Sequence, residues 1–323
     1  MAASMYRTLA LFLLVMSLEA AVKVEKTNYR GWPNSYRISN GEVELIVTTD
    51  VGPRVIRFAF IGGKNLFKEF EAEMGKSGES KWMPRGGHRL WIAPEDEKLS
   101  YPADNFPVQS KLLPDGIEVT APVEPETGVQ KSMEIHLASS GTGVTVHHRI
   151  RNTKDKPYEL APWSLTMMAQ GGTGITGFPP RGTHPEMLAP TNPLVMWAFT
   201  DFSDKRWTLT KKYLMLRQDP KNKVPNKTGL YNPNTWGAYL LGSDLFIKRY
   251  KATAPAAKYP DFGASYETFT NDEILELETL GPMLSLARDA NVTHTETWTL
   301  HRNIKLSSFT DGELDKVILP LLR

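Results

Sequence analysis

The sequence predicts an all-β protein built from two packed antiparallel sheets. Three observations carry this. Val43, Leu45 and Val47 alternate with Glu42, Glu44 and Ile46, the period of two expected of a strand. Similar short runs recur along the chain, separated by turn residues such as Gly242-Ser243-Asp244 and Asn271-Asp272. No segment sustains a helical apolar period for more than about a dozen residues. So many strands do not stay in one open sheet; they split into two packed layers.

Taken in order, the chain starts with an export signal, read as residues 1–21. Arg7 precedes the apolar run "TLALFLLVMSL", which is too short to span a bilayer, and "EAAV" follows. The protein is therefore expected to be exported, periplasmic or secreted, with no membrane span once the signal is removed. Residues 22–323 read as one domain, because no linker divides them. "GEVELIVTTD" and "PRVIRFAFIGGKNLF" form a hairpin through Val51-Gly52-Pro53. "GIEVTAPVE", "VQKSMEIHLAS", "GTGVTVHHRIRNT" and "YELAPWSLTMM" follow as strands. Later come "KRWTLTKKYLMLRQ", "WGAYLLGSDLFIKRYKA", "ASYETFTNDEILELETLGPML" and "NVTHTETWTLHRNI". The best helix candidate is C-terminal, "SFTDGELDKVILPLLR", with Thr310 or Asp311 as its cap. Two long irregular stretches, 68–105 and 171–193, are where binding residues are expected.

Composition narrows the function. A net charge of +2 gives no footprint for nucleic acid. Cysteine is absent, which removes thiol nucleophiles, cysteine metal sites and disulfides, so the fold must rest on its core. His147 and His148 point to opposite faces of one strand and cannot share a metal. No histidine or carboxylate spacing matches a metal motif, "GGTGITG" lacks the Lys-Ser/Thr of a phosphate loop, and no cofactor is expected. Lys248-Arg249 are read as a solvated edge.

The opening hairpin "NGEVELIVTTDVGPRVIRFAFIGGKNLF" resembles that of the galactose mutarotase-like (aldose 1-epimerase) superfamily, and "LELETLGPM" resembles its Leu-Glu-Thr-Gln strand. With "GGHRLWIAPED", "APWSLTMM" and "YPDFGASYETFTND", the chain looks like a bacterial branch of that superfamily rather than a true aldose 1-epimerase. The resemblance implies a β-supersandwich, a carbohydrate ligand and isomerase-type chemistry. It places the family's catalytic base on Glu278, with Leu280 where the glutamine would be. It places Trp163 where the family has its histidine acid, so the mechanism does not carry over whole.

His88 is the candidate replacement acid, because a neutral imidazole both donates and accepts and titrates near neutral pH. Gly86 and Gly87 before it would allow close approach of a ligand. Arg85 and Arg89 are candidates to hold a hydroxyl or carboxylate, Trp82 and Trp91 to stack on a sugar, and Glu95 and Asp96 to accept hydroxyl protons. The plain alternative puts Leu90 and Trp91 in the core and Glu95-Asp96 in solvent. Glu276 and Glu278 share a strand face, which periodicity alone would leave solvated. His184 is the second candidate proton donor. Two functions stay open: an enzyme using Glu278 and His88 across one cavity, and a lectin-like binder stacking a sugar on Trp82, Trp91, Trp163 and Trp236.

Overall fold

The computed structural model describes residues 21–322. The expected export signal lies outside them except for Ala21. The alternating runs do form strands, twenty-one among the described residues, in two antiparallel sheets. From edge to edge the first sheet runs β1 (Lys23–Tyr29), β2 (Trp32–Ser39), β3 (Val43–Thr48), β4 (Arg54–Phe60), β5 (His88–Ala93), β10 (Tyr158–Met168), β19 (Leu275–Leu280), β18 (Tyr266–Thr270), β15 (Asn226–Leu230) and β12 (Leu194–Met196). β20 (Leu284–Leu286) pairs with the start of β10. The second runs β13 (Trp207–Leu209), β14 (Tyr213–Arg217), β11 (Thr173–Gly177), β16 (Asn234–Leu241), β17 (Asp244–Lys251), β21 (Asn291–His301), β9 (Val144–Asn152), β8 (Val129–Leu137), β7 (Gly116–Thr120) and β6 (Gln109–Leu113).

The main core lies between the sheets. Val43, Leu45 and Val47 enter it from β3, as their alternation requires, and meet Met133, Ile135 and Val146 of the second sheet. Phe58, Phe67, Phe246 and Trp298 form an aromatic nest there, mostly edge to face. The C-terminal helix α1 (Asp311–Val317) forms where expected, with Thr310 as cap residue. Its Leu314, with Ile318 beyond it, covers Ile175, Met215 and Ile247 on the outer side of the second sheet. Among the described residues no helix is long and apolar enough to cross a membrane.

The stretch 68–105 is less irregular than its sequence suggests. Its middle, His88–Ala93, is a central strand of the first sheet. The glycines before it serve the protein's own backbone rather than a ligand. Gly86 has φ +95, and a Cβ there would sit 2.0 Å from the Lys68 carbonyl oxygen; one on Gly87 would sit 2.4 Å from that of Val55. In the stretch 171–193, residues 173–177 form β11, and much of the remainder is an exposed loop.

Candidate functional site

β5 sends alternate side chains to the two faces of its sheet. His88, Leu90 and Ile92 face the other sheet; Arg89, Trp91 and Ala93 face outward. The register extends the outward rows. Trp91 lies opposite Trp163. Arg89 lies opposite Leu165, which lies opposite Glu278, which lies opposite Glu267. The adjacent row is Met167, Glu276, Phe269 and Lys227.

These rows floor a hollow of about 410 Å³, lined by Trp82, Arg89, Trp91, Glu95, Tyr101, Trp163, Lys227, Phe269 and Glu276, among others. Its wall is aromatic: Trp91 stands 5.4 Å from Trp82, 4.6 Å from Tyr101 and 5.4 Å from Trp163, ring centre to ring centre. Arg89 is 2% exposed, and its guanidinium lies 4.4 Å from the Trp91 ring and 5.4 Å from that of Trp82. Its Nη2 donates to Glu276 Oε1 at 3.2 Å, while Nε and Nη1 have no partner. Glu95 closes the rim, accepting a hydrogen bond from Tyr101 at 2.5 Å.

The carboxylates are unequal. Glu276 reaches the hollow. Burial, opposed by Arg89 and reinforced by Glu278, pushes it up to about 7 from an ordinary 4.5. Such a group holds or releases a proton near neutral pH. Glu278 has no exposure; its Oε2 accepts from Trp163 Nε1 at 2.8 Å and from Lys227 at 3.3 Å, and its Oε1 has no partner. Lys227 sits 2.7 Å from Glu267 as well. Burial works against the ammonium of Lys227, but Glu267 and Glu278 outweigh it and hold the group above its usual range. Burial drives Glu267 well above the carboxylate range, and Asp261 is raised for the same reason.

The inward face of the same strands carries a second polar cluster, sealed between the sheets. Lys248 Nζ lies 2.8 Å from Glu296 Oε1, both without exposure. Ser164, Thr279 and Trp298 also donate to Glu296. His148 Nδ1 donates to the His294 carbonyl, which leaves its Nε2 to accept from His88 Nε2 at 2.6 Å. His88 Nδ1 then accepts from Thr166 at 2.8 Å. Burial keeps all three histidines neutral: His88 well below its ordinary value, His148 at about 4 and His294 at about 3. The ligating atoms of His88, His148 and Glu296 lie within 4.8 Å of one another, a metal-like spacing no local motif announces. Their lone pairs, however, are already engaged, and the Lys248 ammonium sits against the carboxylate.

The predicted residues thus divide. Arg89, Trp91, Glu95 and Trp163 come together in the hollow, with Trp82. His88 does not join Glu278: the two occupy opposite faces of one sheet, so the expected acid–base pair across one cavity is corrected. Arg85 is not in the hollow either; it is buried and ties Asn105, Glu79 and the carbonyls of Glu73 and Lys76 together. Asp96 caps its own turn through the N–H groups of Lys98 and Leu99. His184 is on an exposed loop, and Trp236 packs on the outer side of the second sheet. Lys248, expected at a solvated edge, is in the core because Glu296 faces it. Glu276, expected to be a bland strand residue, is a buried carboxylate on the floor of the hollow. Lys227, Glu267 and Asp261 were not foreseen. The Asn271-Asp272 turn sets the register that pairs Glu267 with Glu278, so counting back from it would have found that contact. Nothing in "NKTGL" announces Lys227.

A larger groove, about 1110 Å³, is lined by Asn232, Arg249, Tyr250 and Thr293 among others. No buried polar side-chain atom of its lining lacks a partner, which distinguishes it from the hollow.

No family model matches the sequence, and no curated protein does. Solved structures match in fold. The Slr1438 protein of Synechocystis sp. PCC 6803 aligns with a TM-score of 0.55 at 9% identity, over 86% of this chain and 99% of its own. A galactose mutarotase-like protein from Lactobacillus casei ATCC 334 gives 0.53 at 10% identity, over 83% and 100%. A galactose mutarotase related enzyme from Lactobacillus acidophilus gives 0.52 at 9%, over 84% and 98%. At such identities the likeness is one of architecture. The chain has the galactose mutarotase-like fold.

Proposed function

We propose that this protein binds a carbohydrate in the outer hollow of the first sheet and exchanges protons with it at the anomeric centre. The observation that carries the reading is the Arg89–Glu276 pair on the floor of a cavity walled by Trp82, Trp91 and Trp163. Tryptophan faces suit the C–H face of a pyranose, and the charged pair suits its hydroxyls. Two of the fold neighbours are described as mutarotase-like or mutarotase-related, which agrees with this ligand class. In the reaction, a carboxylate takes the proton of the C1 hydroxyl as the bond from C1 to the ring oxygen breaks, and a carboxylic acid protonates that oxygen. Reclosure on the other face reverses both transfers. Glu276 is placed to give or take a proton without rearrangement. Glu278 acts as base only if Trp163 or Lys227 moves aside.

A second reading is binding without turnover in an exported lectin-like protein. It is favoured by the zero exposure of Glu278 and by Trp163 standing where the mutarotase histidine would be. Saturation-transfer NMR with a panel of mono- and oligosaccharides, scoring binding and anomeric exchange together, separates the two. Exchange lost by about 10²-fold or more in Glu276→Gln with binding retained supports the enzyme. Binding without exchange selects the lectin, and no binding of any sugar overturns both.

A further inference from the structure

The hollow has an imbalance among its donors and acceptors. The buried polar atoms of its lining that lack a partner are all donors: Arg89 Nε, Arg89 Nη1 and Trp82 Nε1. The nearby carboxylate oxygens without a hydrogen bond, on Glu267 and Glu278, belong to residues with no exposure that do not line the hollow and are ion-paired to Lys227. A buried unpaired donor is costly, and more so when charged, so the ligand that fits must bring acceptors. A neutral hydroxyl brings a donor with each acceptor. A carboxylate brings acceptors only, with the planar geometry that a guanidinium matches.

We propose that the ligand is an acidic sugar of the uronate class, with its carboxylate received by Arg89 and the Trp82 indole N–H. This rests on the carbohydrate reading and names its substrate class. Glu276 cancels the charge of Arg89 only in part, because burial raises it to about 7 and leaves it partly protonated near neutral pH. The second cation of the hollow, Lys227, is engaged by Glu267 and Glu278 and leaves the anion to Arg89. The rings of Trp82 and Trp91 beside the guanidinium keep water from competing for it.

The test is a calorimetric titration of the protein with glucuronate, its methyl ester and glucose. Glucuronate is expected to bind about tenfold or more tightly than glucose, as a charge-assisted bond in a buried site allows. The methyl ester, which keeps the shape and removes the charge, is expected to fall back to the glucose level. Arg89→Gln is expected to erase the preference, and Arg89→Lys, which keeps the charge without the fork, to retain part of it. Equal binding of glucuronate and glucose overturns the proposal and leaves the carbohydrate reading standing. Failure of all three ligands to bind removes that reading and the proposal with it. If Arg89→Gln does not fold, the ester comparison on the unaltered protein decides alone.

Discussion

The two faces of the first sheet teach different lessons from the same strands. β5, β10 and β19 place His88, Ser164, Thr166 and Thr279 inward, and Arg89, Trp163, Glu276 and Glu278 outward. Both sets are buried and each meets a cation beside a carboxylate: inward Lys248 with Glu296, contributed by the second sheet, and outward Arg89 with Glu276. Inward, every buried polar side-chain atom of the cluster has a partner, and the three histidines pass hydrogen bonds in one consistent tautomeric order. Outward, Arg89 keeps two nitrogens without partners and Trp82 keeps one. A satisfied network specifies and rigidifies a core, whereas an unsatisfied one beside a cavity waits for a ligand. The charges alone do not separate these cases; the accounting of partners does.

The largest effect expected from this contrast is on the inward face. Lys248→Met leaves Glu296 buried without its counter-ion, which should cost about 3–5 kcal/mol of unfolding free energy. Chemical denaturation of the variant beside the parent protein measures it. A cost below about 1 kcal/mol would show that Glu296 simply takes up a proton and that the inward ion pair is not needed for stability.

The hairpin of β3 and β4, the strand periodicity and the C-terminal helix were legible because each is a local pattern. The site was legible only in part. "HRLWIA" reads as a loop because a polar histidine stands where a strand with one buried face needs an apolar residue; His88 takes that place because His148 and Thr166 satisfy it from other strands. Lys248 misleads for the same reason, since Glu296 lies on a different strand. Arg85 and Arg89 are indistinguishable in sequence, but one folds inside a loop and the other emerges on the sheet face. Trp91 was found as an aromatic in a polar stretch where binding residues concentrate, and Trp163 because the family resemblance put it at the histidine's place; that both face outward from adjacent central strands was not legible. Where a charge depended on a partner distant in sequence, no local signal existed.

The next effect is smaller and has opposite signs on the two faces. The inward histidines bind protons in the unfolded chain near the ordinary 6.5, but in the folded chain only at about 4 for His148 and about 3 for His294. Their contribution to stability is therefore present above 6.5 and is lost as pH falls toward those values. Glu276 binds its proton at about 7 when folded and at an ordinary 4.5 when unfolded. Its contribution is present below 4.5 and is lost as pH rises through about 7. Unfolding free energy measured across pH should thus fall on both sides of a maximum. Glu276→Gln should remove a loss of about 1–3 kcal/mol spread between about 4.5 and 7 and leave the histidine-driven fall below 4.5 intact. Glu267 shares the sign of Glu276, so the slope should shrink rather than vanish. An unchanged upper limb in the variant would remove Glu276 from the account.

The smallest effect sharpens the comparison most. Arg89→Gln deletes a buried cation, as Lys248→Met does, but on the face where the partners are missing. The substitution removes two unpaired donors together with the single 3.2 Å bond, and Glu276 can answer by protonating. Loss of stacking on Trp82 and Trp91 opposes part of that relief. The net cost should be no more than about 1 kcal/mol, well below that of Lys248→Met. Both variants belong in one urea series, so that midpoint and slope are compared under the same conditions. Equal losses in the two would mean that Arg89 is as structural as Lys248, and the hollow would lose its claim to be a binding site. A small loss for Arg89→Gln beside a large one for Lys248→Met would mean that the chain holds a charge in the outer hollow at a cost folding does not require, which is the mark of a residue kept for what it binds.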